Sequence, residues 1–332
     1  MGDVSGIEIS DVLGLSDPIT KLIETISGGV GKLYEPTHIR RMAKARATEI
    51  KLIGDTISEV DYLPIKYDTG NVAIDGTDYS ELVKRAQGRL AFQELKKQNN
   101  IDRVVGYAAE ELCGQEQVSS IPVDADWVTR FFDSVSDVSS DEMQQIWGRI
   151  LAGEVNAPGR FSFRTLEAVR KMSKSEAELF INIVPFLATA DSEVFISSDN
   201  ELLSKYNISY GIIMVLDECG LINSSGTLSI NMQLTKEEPK PIYTTERIAM
   251  MQGVIDDCVK ISFGVHTLTR SGRELLSIIN TSPNNEYFVD FAKHLKSCNK
   301  GKISISVHCV DAIVEGIINY QEAPIEVIKS EA

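Results

Sequence analysis

The chain has 332 residues, of which 43% are hydrophobic and 24% charged, and this ordinary globular composition argues against an intrinsically disordered protein. The length suffices for about two domains with cores of their own. The formal net charge of -15 disfavours binding of nucleic acid or anionic lipid by the surface as a whole, so either partner would require a local basic patch.

Cysteine usage and hydropathy predict a cytoplasmic protein. The cysteines contain no CxxC pair and are odd in number, so the sequence predicts reduced thiols and neither a zinc site nor a disulfide framework. They are Cys113, Cys219, Cys258, Cys298 and Cys309. The first residues lack the apolar region of a signal peptide, and no apolar run approaches the length of a membrane span.

Residues 27–33, SGGVGKL, resemble a phosphate-binding loop, but two positions argue against this function. The Walker motif requires glycine where Ile26 stands and serine or threonine where Leu33 stands. The sequence instead predicts a helix that Asp17 caps and whose first turn suits Pro18. No nucleotide and no other cofactor is therefore predicted.

This first helix carries an apolar stripe that needs a cover. The stripe consists of Ile19, Leu22, Ile23 and Ile26, and a short helix gains most of its stability from packing. The cover could be the second long helix of the same chain, the identical stripe of a second copy, or a lipid surface. Because the net charge disfavours lipid, we expect association between copies.

Residues 38–53 form a local basic patch. Its charged residues are Arg40, Arg41, Lys44, Arg46 and Lys51, against Glu49 alone. Such a contrast in charge is typical of a contact surface, although a solvated helix face that pairs with acidic neighbours in the same protein is the more common explanation. On a lipid surface, the first three of these residues would contact head groups. The predicted interaction residues are therefore Ile19, Leu22, Ile23, Ile26, Arg40, Arg41 and Lys44.

Residues 61–79 predict a loop or small hairpin, because they are rich in Pro, Gly and Asp. A second long helix follows, and its apolar positions form one stripe. They are Val83, Ala86, Leu90, Ile101, Val104, Val105, Ala108 and Leu112. A polar linker precedes residue 121, so residues 1–120 are predicted to form a helical arm.

Residues 121–190 are predicted to form a compact helical domain. Trp127, Phe131 and Trp147 fall on amphipathic helices and are expected in the core. Ser139 with Glu142 predicts one capping box. A second capping box is predicted for Ser173 with Glu176.

Three blocks of this chain resemble a family. The segment DWVTRFF followed by SDEMQQIWGRILAGEVNAPGRFSFRTLEAV is similar to the bacterial family known as domain of unknown function 2806. The resemblance extends to LYEPTHIRRMAKARA and RLAFQELKKQNNI, so it covers about half of the chain. The family brings no established catalytic residues, and the 61–79 insertion departs from its pattern.

Residues 191–332 predict a winged-helix-like α+β unit. Two short helices precede the strands TLSINMQL and VKISFGVHTLT, which are followed by LTRSGREL. A helix that reads DNA needs Arg, Lys, Asn or Gln at the base edges. Residues 208–219 contain none of these and end in acidic residues, so this helix favours a protein contact or a core position.

No metal or catalytic site is predicted. His294, Cys298, His308 and Cys309 match no standard zinc spacing, and the last two would point to opposite faces of a strand. No Ser-His-Asp or Cys-His arrangement is evident. His38 and His266 are expected at the surface.

The sequence as a whole predicts a mainly α protein with a helical arm, a compact helical centre and a winged-helix-like C-terminal unit. The favoured function is that of a non-catalytic interaction or scaffold protein that forms a homo-oligomer or binds another protein. One alternative is an effector at a membrane surface, and another is a winged-helix DNA-binding regulator. A role in defence is a further hypothesis that no residue pattern carries.

Overall fold

The computed structural model describes residues 17–30, 66–68, 71–73, 79–113, 115, 118–226, 228–255, 257–299, 301–314 and 316–328. About 50% of the structure is helix and 22% is strand, and ten of the strands form one antiparallel sheet. The prediction of a mainly α protein is therefore wrong, and the protein is α+β. The chain divides into two compact units, Met1–Leu166 and Glu167–Ala332.

The described part of unit 1 consists mainly of helices. They are α1 (Asp17–Val30), α2 (Tyr79–Leu112), α3 (Ala125–Val135) and α4 (Asp141–Asn156), and α5 (Phe163–Lys171) begins here. The predicted 61–79 hairpin region contains two short antiparallel strands, β1 (Lys66–Asp68) and β2 (Asn71–Ala73). The second half of α2 packs along α4, because both helices present apolar residues at helical spacing.

An aromatic cluster forms the centre of unit 1. Trp127 stacks on Phe131 with 5.1 Å between ring centroids, and Phe131 meets the edge of Trp147 at 5.4 Å. The indole Nε1 of Trp127 donates a hydrogen bond of 2.8 Å to the carbonyl oxygen of Phe161. All four side chains are buried, so the prediction that the aromatic residues of this segment form a core is confirmed.

One predicted capping box is present and one is not. The hydroxyl of Ser173 accepts from the backbone N–H of Glu176, whose carboxylate accepts from the N–H of Ser173. The box predicted at Ser139 is wrong, since α4 begins one residue later and follows Ser140. The hydroxyl of Ser140 bonds to the Glu142 carboxylate at 2.8 Å instead of capping the backbone.

Unit 2 combines short helices with the large sheet. Its helices are α6 (Lys174–Ile183), α7 (Asn200–Lys205), α8 (Tyr210–Glu218), α9 (Arg270–Leu276) and α10 (Asn285–Cys298), and a 3-10 turn covers Val184–Phe186. Its strands are β3 (Ala188–Ala190), β4 (Glu193–Ser197), β5 (Ile222–Asn223), β6 (Ser229–Leu234), β7 (Lys240–Tyr243), β8 (Arg247–Gly253), β9 (Val259–Leu268), β10 (Ile303–Val314), β11 (Ile317–Tyr320) and β12 (Glu326–Ile328). The apolar face of α10 is buried against this sheet.

The sheet is larger than the predicted wing. Its strand order is β11-β10-β8-β7-β3-β4-β9-β5, with β12 also paired to β10 and β6 also paired to β9. The two strands expected to form a wing are β6 and β9, which do pair antiparallel over six residues. They belong to a ten-stranded sheet, and a sheet of this size makes the fold α+β and not mainly α.

Candidate interaction surfaces

The predicted apolar stripe of α1 lies inside unit 1. Leu22, Ile23 and Ile26 are buried, and α1 packs against α2, α3 and α4. Ile19 is only half-buried. The cover of the stripe is therefore the same chain, and it includes α3 and α4 as well as α2, the second long helix that the sequence suggested. This burial corrects the expectation that a second copy covers it.

The predicted basic contact residues fall outside the described part of the chain. Arg40, Arg41 and Lys44 belong to residues 31–65, as does His38. The interaction role assigned to them stays a prediction.

The first half of α2 presents an exposed apolar surface. Every residue from 88 to 96 is exposed, and the large apolar side chains among them are Leu90 at 54%, Phe92 at 49% and Leu95 at 62% of full exposure. The second half of the same helix is covered, with Val104 and Leu112 fully buried. We call residues 85–97, which contain this exposed run and the residues that flank it, the exposed α2 segment.

The lengths of the two helices explain this exposure. At 1.5 Å per residue, the 34 residues of α2 span about 51 Å and the 16 residues of α4 span about 24 Å. The shorter helix therefore covers only part of the longer one. Leu90 lies on the face that packs on α4 further along, whereas Phe92 and Leu95 lie roughly 200° and 140° around the helix from it.

The exposed α2 segment is basic. It contains Arg85, Arg89, Lys96 and Lys97 against Glu94 alone. Lys97 pairs with Glu94 at 3.1 Å, and both side chains remain largely in solvent. The surface therefore combines apolar side chains with positive charge in a chain that is negative as a whole.

A second exposed apolar surface lies at one end of the sheet in unit 2. The pairing of β10 with β8 ends at Cys309, and the pairing of β10 with β11 then runs from Val310 to Val314. Val314 is 56% exposed, and its cross-strand partner Ile317 is 66% exposed. Ile313 is also exposed and is paired with Ile318. We call residues 310–314 with Ile317–Tyr320 the hairpin ribbon.

His308 anchors this ribbon. Its Nδ1 lies 2.9 Å from the carbonyl oxygen of Gln321 and its Nε2 lies 2.8 Å from the hydroxyl of Ser306. The imidazole ring also meets the ring of Tyr320 edge to face at 5.3 Å. Both ring nitrogens are therefore engaged in structural contacts.

The histidines and cysteines considered as metal ligands lie on two elements, α10 and β10. The Sγ of Cys309 lies 3.0 Å from a guanidinium nitrogen of Arg247, whereas His294 lies on α10 with Cys298 one turn away. Within the residues that the structure describes, no group of three or more His, Cys, Asp or Glu side chains is placed to hold a metal ion.

One Cys-His-Asp grouping was missed by the sequence analysis. The Nε2 of His294 lies 3.5 Å from the Sγ of Cys298 and 3.7 Å from the Asp199 carboxylate. A relay needs the acid on one ring nitrogen and the nucleophile on the other. Here both groups approach the same nitrogen, so the grouping does not have the geometry of a catalytic triad.

His266 is buried, so its predicted surface position is wrong. It lies in β9, and its Nδ1 has no hydrogen-bond partner among the described residues. Burial lowers the pKa of this imidazole, and the nearby Asp217 carboxylate opposes the shift in part. The folded state therefore favours neutral His266.

We expect the stability of unit 2 to fall as the pH decreases below about 6.5, the pKa of an unfolded histidine. In that range the unfolded chain binds a proton that folded His266 resists, until the pH passes the lowered pKa of the folded state. The loss is at most about 1.4 kcal/mol per pH unit for one proton. Urea unfolding across pH 5 to 8 measures it, and His266→Gln should flatten the slope.

The control for this experiment is His294→Gln, which removes a histidine from a half-exposed position in the same unit. It should retain the slope of the native protein. A slope that is unchanged in His266→Gln would contradict the assignment.

No helix in the described ranges combines the length and the apolar character needed to cross a membrane.

Comparison of the sequence with known proteins identifies a family. No curated protein and no solved structure matches it. A family model described as a protein of unknown function, DUF2806, matches residues 84–292. The match includes RLAFQELKKQNNI and the block from 126 to 169, whereas LYEPTHIRRMAKARA precedes it. Because this match spans more than half of the chain, the protein belongs to the DUF2806 family.

Proposed function

We propose that the protein is a non-catalytic interaction protein that self-associates through the exposed α2 segment. The observation that carries this proposal is the exposure of Leu90, Phe92 and Leu95 within a run of exposed helical residues. Phe92 and Leu95 lie about 60° apart on one face of the helix, and large apolar side chains that share an exposed face are typical of a binding surface.

The exposed α2 segment would gain free energy from a partner. Burial of a leucine or phenylalanine side chain contributes about 1.5–3 kcal/mol. A helical segment gains most of its stability from packing, so a partner would also stabilise the helix itself. Hydrophobic burial therefore supplies the driving force for association.

Charge supports a second copy as the partner. The exposed α2 segment has four basic residues and one acidic residue, a net charge of +3, so the remainder of the chain carries -15 - 3 = -18. A second copy therefore offers a strongly negative surface to a positively charged helix. Such complementarity favours association and sets its orientation.

Two earlier alternatives receive less support. The hypothesis of a membrane-surface effector required an exposed apolar face on α1, but Leu22 and Ile26 are buried within unit 1. The hypothesis of a DNA-binding regulator required a helix that contacts base edges, but α8 (YGIIMVLDE) contains no basic residue. The cytoplasmic location stays a prediction from the sequence.

We expect Phe92→Gln combined with Leu95→Gln to lower the molecular mass measured by light scattering to that of a monomer, 36.6 kDa. Both side chains are exposed, and glutamine is a good helix former, so the fold should not change. Circular dichroism and the thermal midpoint of the variant should match those of the native protein.

The matched control is Gln93→Ala, which changes an exposed residue of the same helical turn without removing apolar surface. It should retain the native mass. A native mass in the double variant, or a native protein that is monomeric at micromolar concentration, would contradict the proposed function.

A further inference from the structure

We infer that the surface that receives the exposed α2 segment is the hairpin ribbon of a second copy. This inference rests on the proposed self-association and names the second half of its interface. The two surfaces belong to different units of the chain, and both present exposed apolar side chains.

The hairpin ribbon presents exposed apolar side chains that a helix could cover. Val314 and Ile317 are directly opposite each other, so their side chains share one face of the ribbon. Ile313 and Ile318 form the next pair, which lies on the other face because side chains alternate along a strand. A two-stranded ribbon is at best marginally stable alone, so a packed helix would stabilise it.

The charges of the two surfaces are opposite. Residues 303–328 contain four acidic residues and neither lysine nor arginine. Asp311 is exposed on the ribbon, and Glu322 is exposed two residues beyond its end. Arg89 and Lys96 are exposed on the α2 segment. Each surface therefore offers apolar contacts together with the charge that the other lacks.

Like surfaces would repel each other. Two α2 segments in contact would bring Arg89 and Lys96 of one copy close to the same residues of the other. Two ribbons would do the same with Asp311 and the neighbouring Glu322. The favourable contact is therefore between unlike surfaces, and each copy carries one of each. Such a heterologous contact produces a ring if its rotation closes and a filament if it does not.

Charge reversal on each surface tests this inference. The α2 variant is Arg89→Glu with Lys96→Glu, and the ribbon variant is Asp311→Lys with Glu322→Lys. We expect each variant alone to have the mass of a monomer, 36.6 kDa. An equimolar mixture should regain at least twice that mass, because the native α2 segment of one variant can bind the native ribbon of the other and the two reversed surfaces are again opposite in charge. High salt should weaken the native association, because charge contributes to it.

Lys171→Glu with Lys302→Glu is the control, since it changes the net charge as the α2 variant does at two exposed lysines outside both surfaces. It should keep the native mass. If the ribbon variant keeps the native mass while the α2 variant is monomeric, the ribbon assignment is wrong and the proposed self-association stands. If both variants keep the native mass, both proposals fail. A mixture that remains monomeric also overturns the pairing of α2 with the ribbon.

Discussion

Trp147→Ala is expected to destabilise unit 1 by about 3–5 kcal/mol, the cost typical of truncating a large buried aromatic side chain. Trp147 is fully buried on α4 and meets the ring of Phe131 edge to face. The loss combines the transfer free energy of the indole with the cavity that remains. Because a domain has only about 5–15 kcal/mol of stability, this single change removes a large part of it.

Fluorescence during urea unfolding measures this loss within unit 1. The chain has two tryptophans, and both lie in unit 1, so Trp127 still reports on unit 1 in the variant. Trp147→Phe is the matched control. It keeps most of the ring volume and removes an indole N–H that lacks a hydrogen-bond partner in the described part of the chain, so its cost should be much smaller. An unchanged unfolding midpoint in Trp147→Ala would contradict the core assignment.

Most elements of unit 2 were predictable where the sequence shows a clear period. In β6, Met232 and Leu234 are buried and alternate with exposed residues, which is the pattern of a half-buried strand. The helices α7 and α8 follow Asp199 and Ser209, whose side chains accept from backbone N–H groups in the first turn. Local signals of this kind are sufficient to place an element.

The strands that were missed lack such local signals, and they change the fold class. β7 contains Pro241, which is uncommon within strands. β8 reads RIAMMQG, in which Ile248 is the single β-branched residue. Both strands are stabilised by pairing: β8 lies between β7 and β10, and β10 lies about fifty residues further along the chain. Contacts at that separation cannot be derived from a local period.

The candidate surface was only partly predictable for a related reason. The apolar period correctly placed Leu90 on the same stripe as Val104, but a period does not state how far the partner helix extends. That information depends on where α4 begins and ends, and therefore on its caps and on the packing of unit 1. Phe92 and Leu95 lie off the stripe. Their positions in the sequence therefore indicated a second apolar face on α2.

Gly148→Ala is also expected to destabilise unit 1 strongly, because Gly148 lies where α4 contacts α2. A Cβ atom at Gly148 would lie 2.4 Å from the Cβ of Tyr107 and 3.2 Å from the backbone nitrogen of Ala108. Both positions belong to the body of α2, so no flexible side chain can move aside, and the two helices would have to separate. Overpacking of this kind costs about 1–3 kcal/mol or more, which exceeds the roughly 1 kcal/mol that alanine gains over glycine within a helix.

Gly106→Ala, on the facing helix α2, is expected to stabilise the protein instead. A Cβ atom added at Gly106 has no atom within 4 Å. That variant should be more stable than the native protein by about 0.5–1 kcal/mol, because alanine loses less conformational freedom in a helix than glycine does. Urea unfolding followed by tryptophan fluorescence compares the two variants in unit 1. Since both substitutions add the same methyl group to a helix, a difference in sign isolates the close approach of α4 to α2. A Gly148→Ala protein as stable as Gly106→Ala would show that the two helices do not need this glycine.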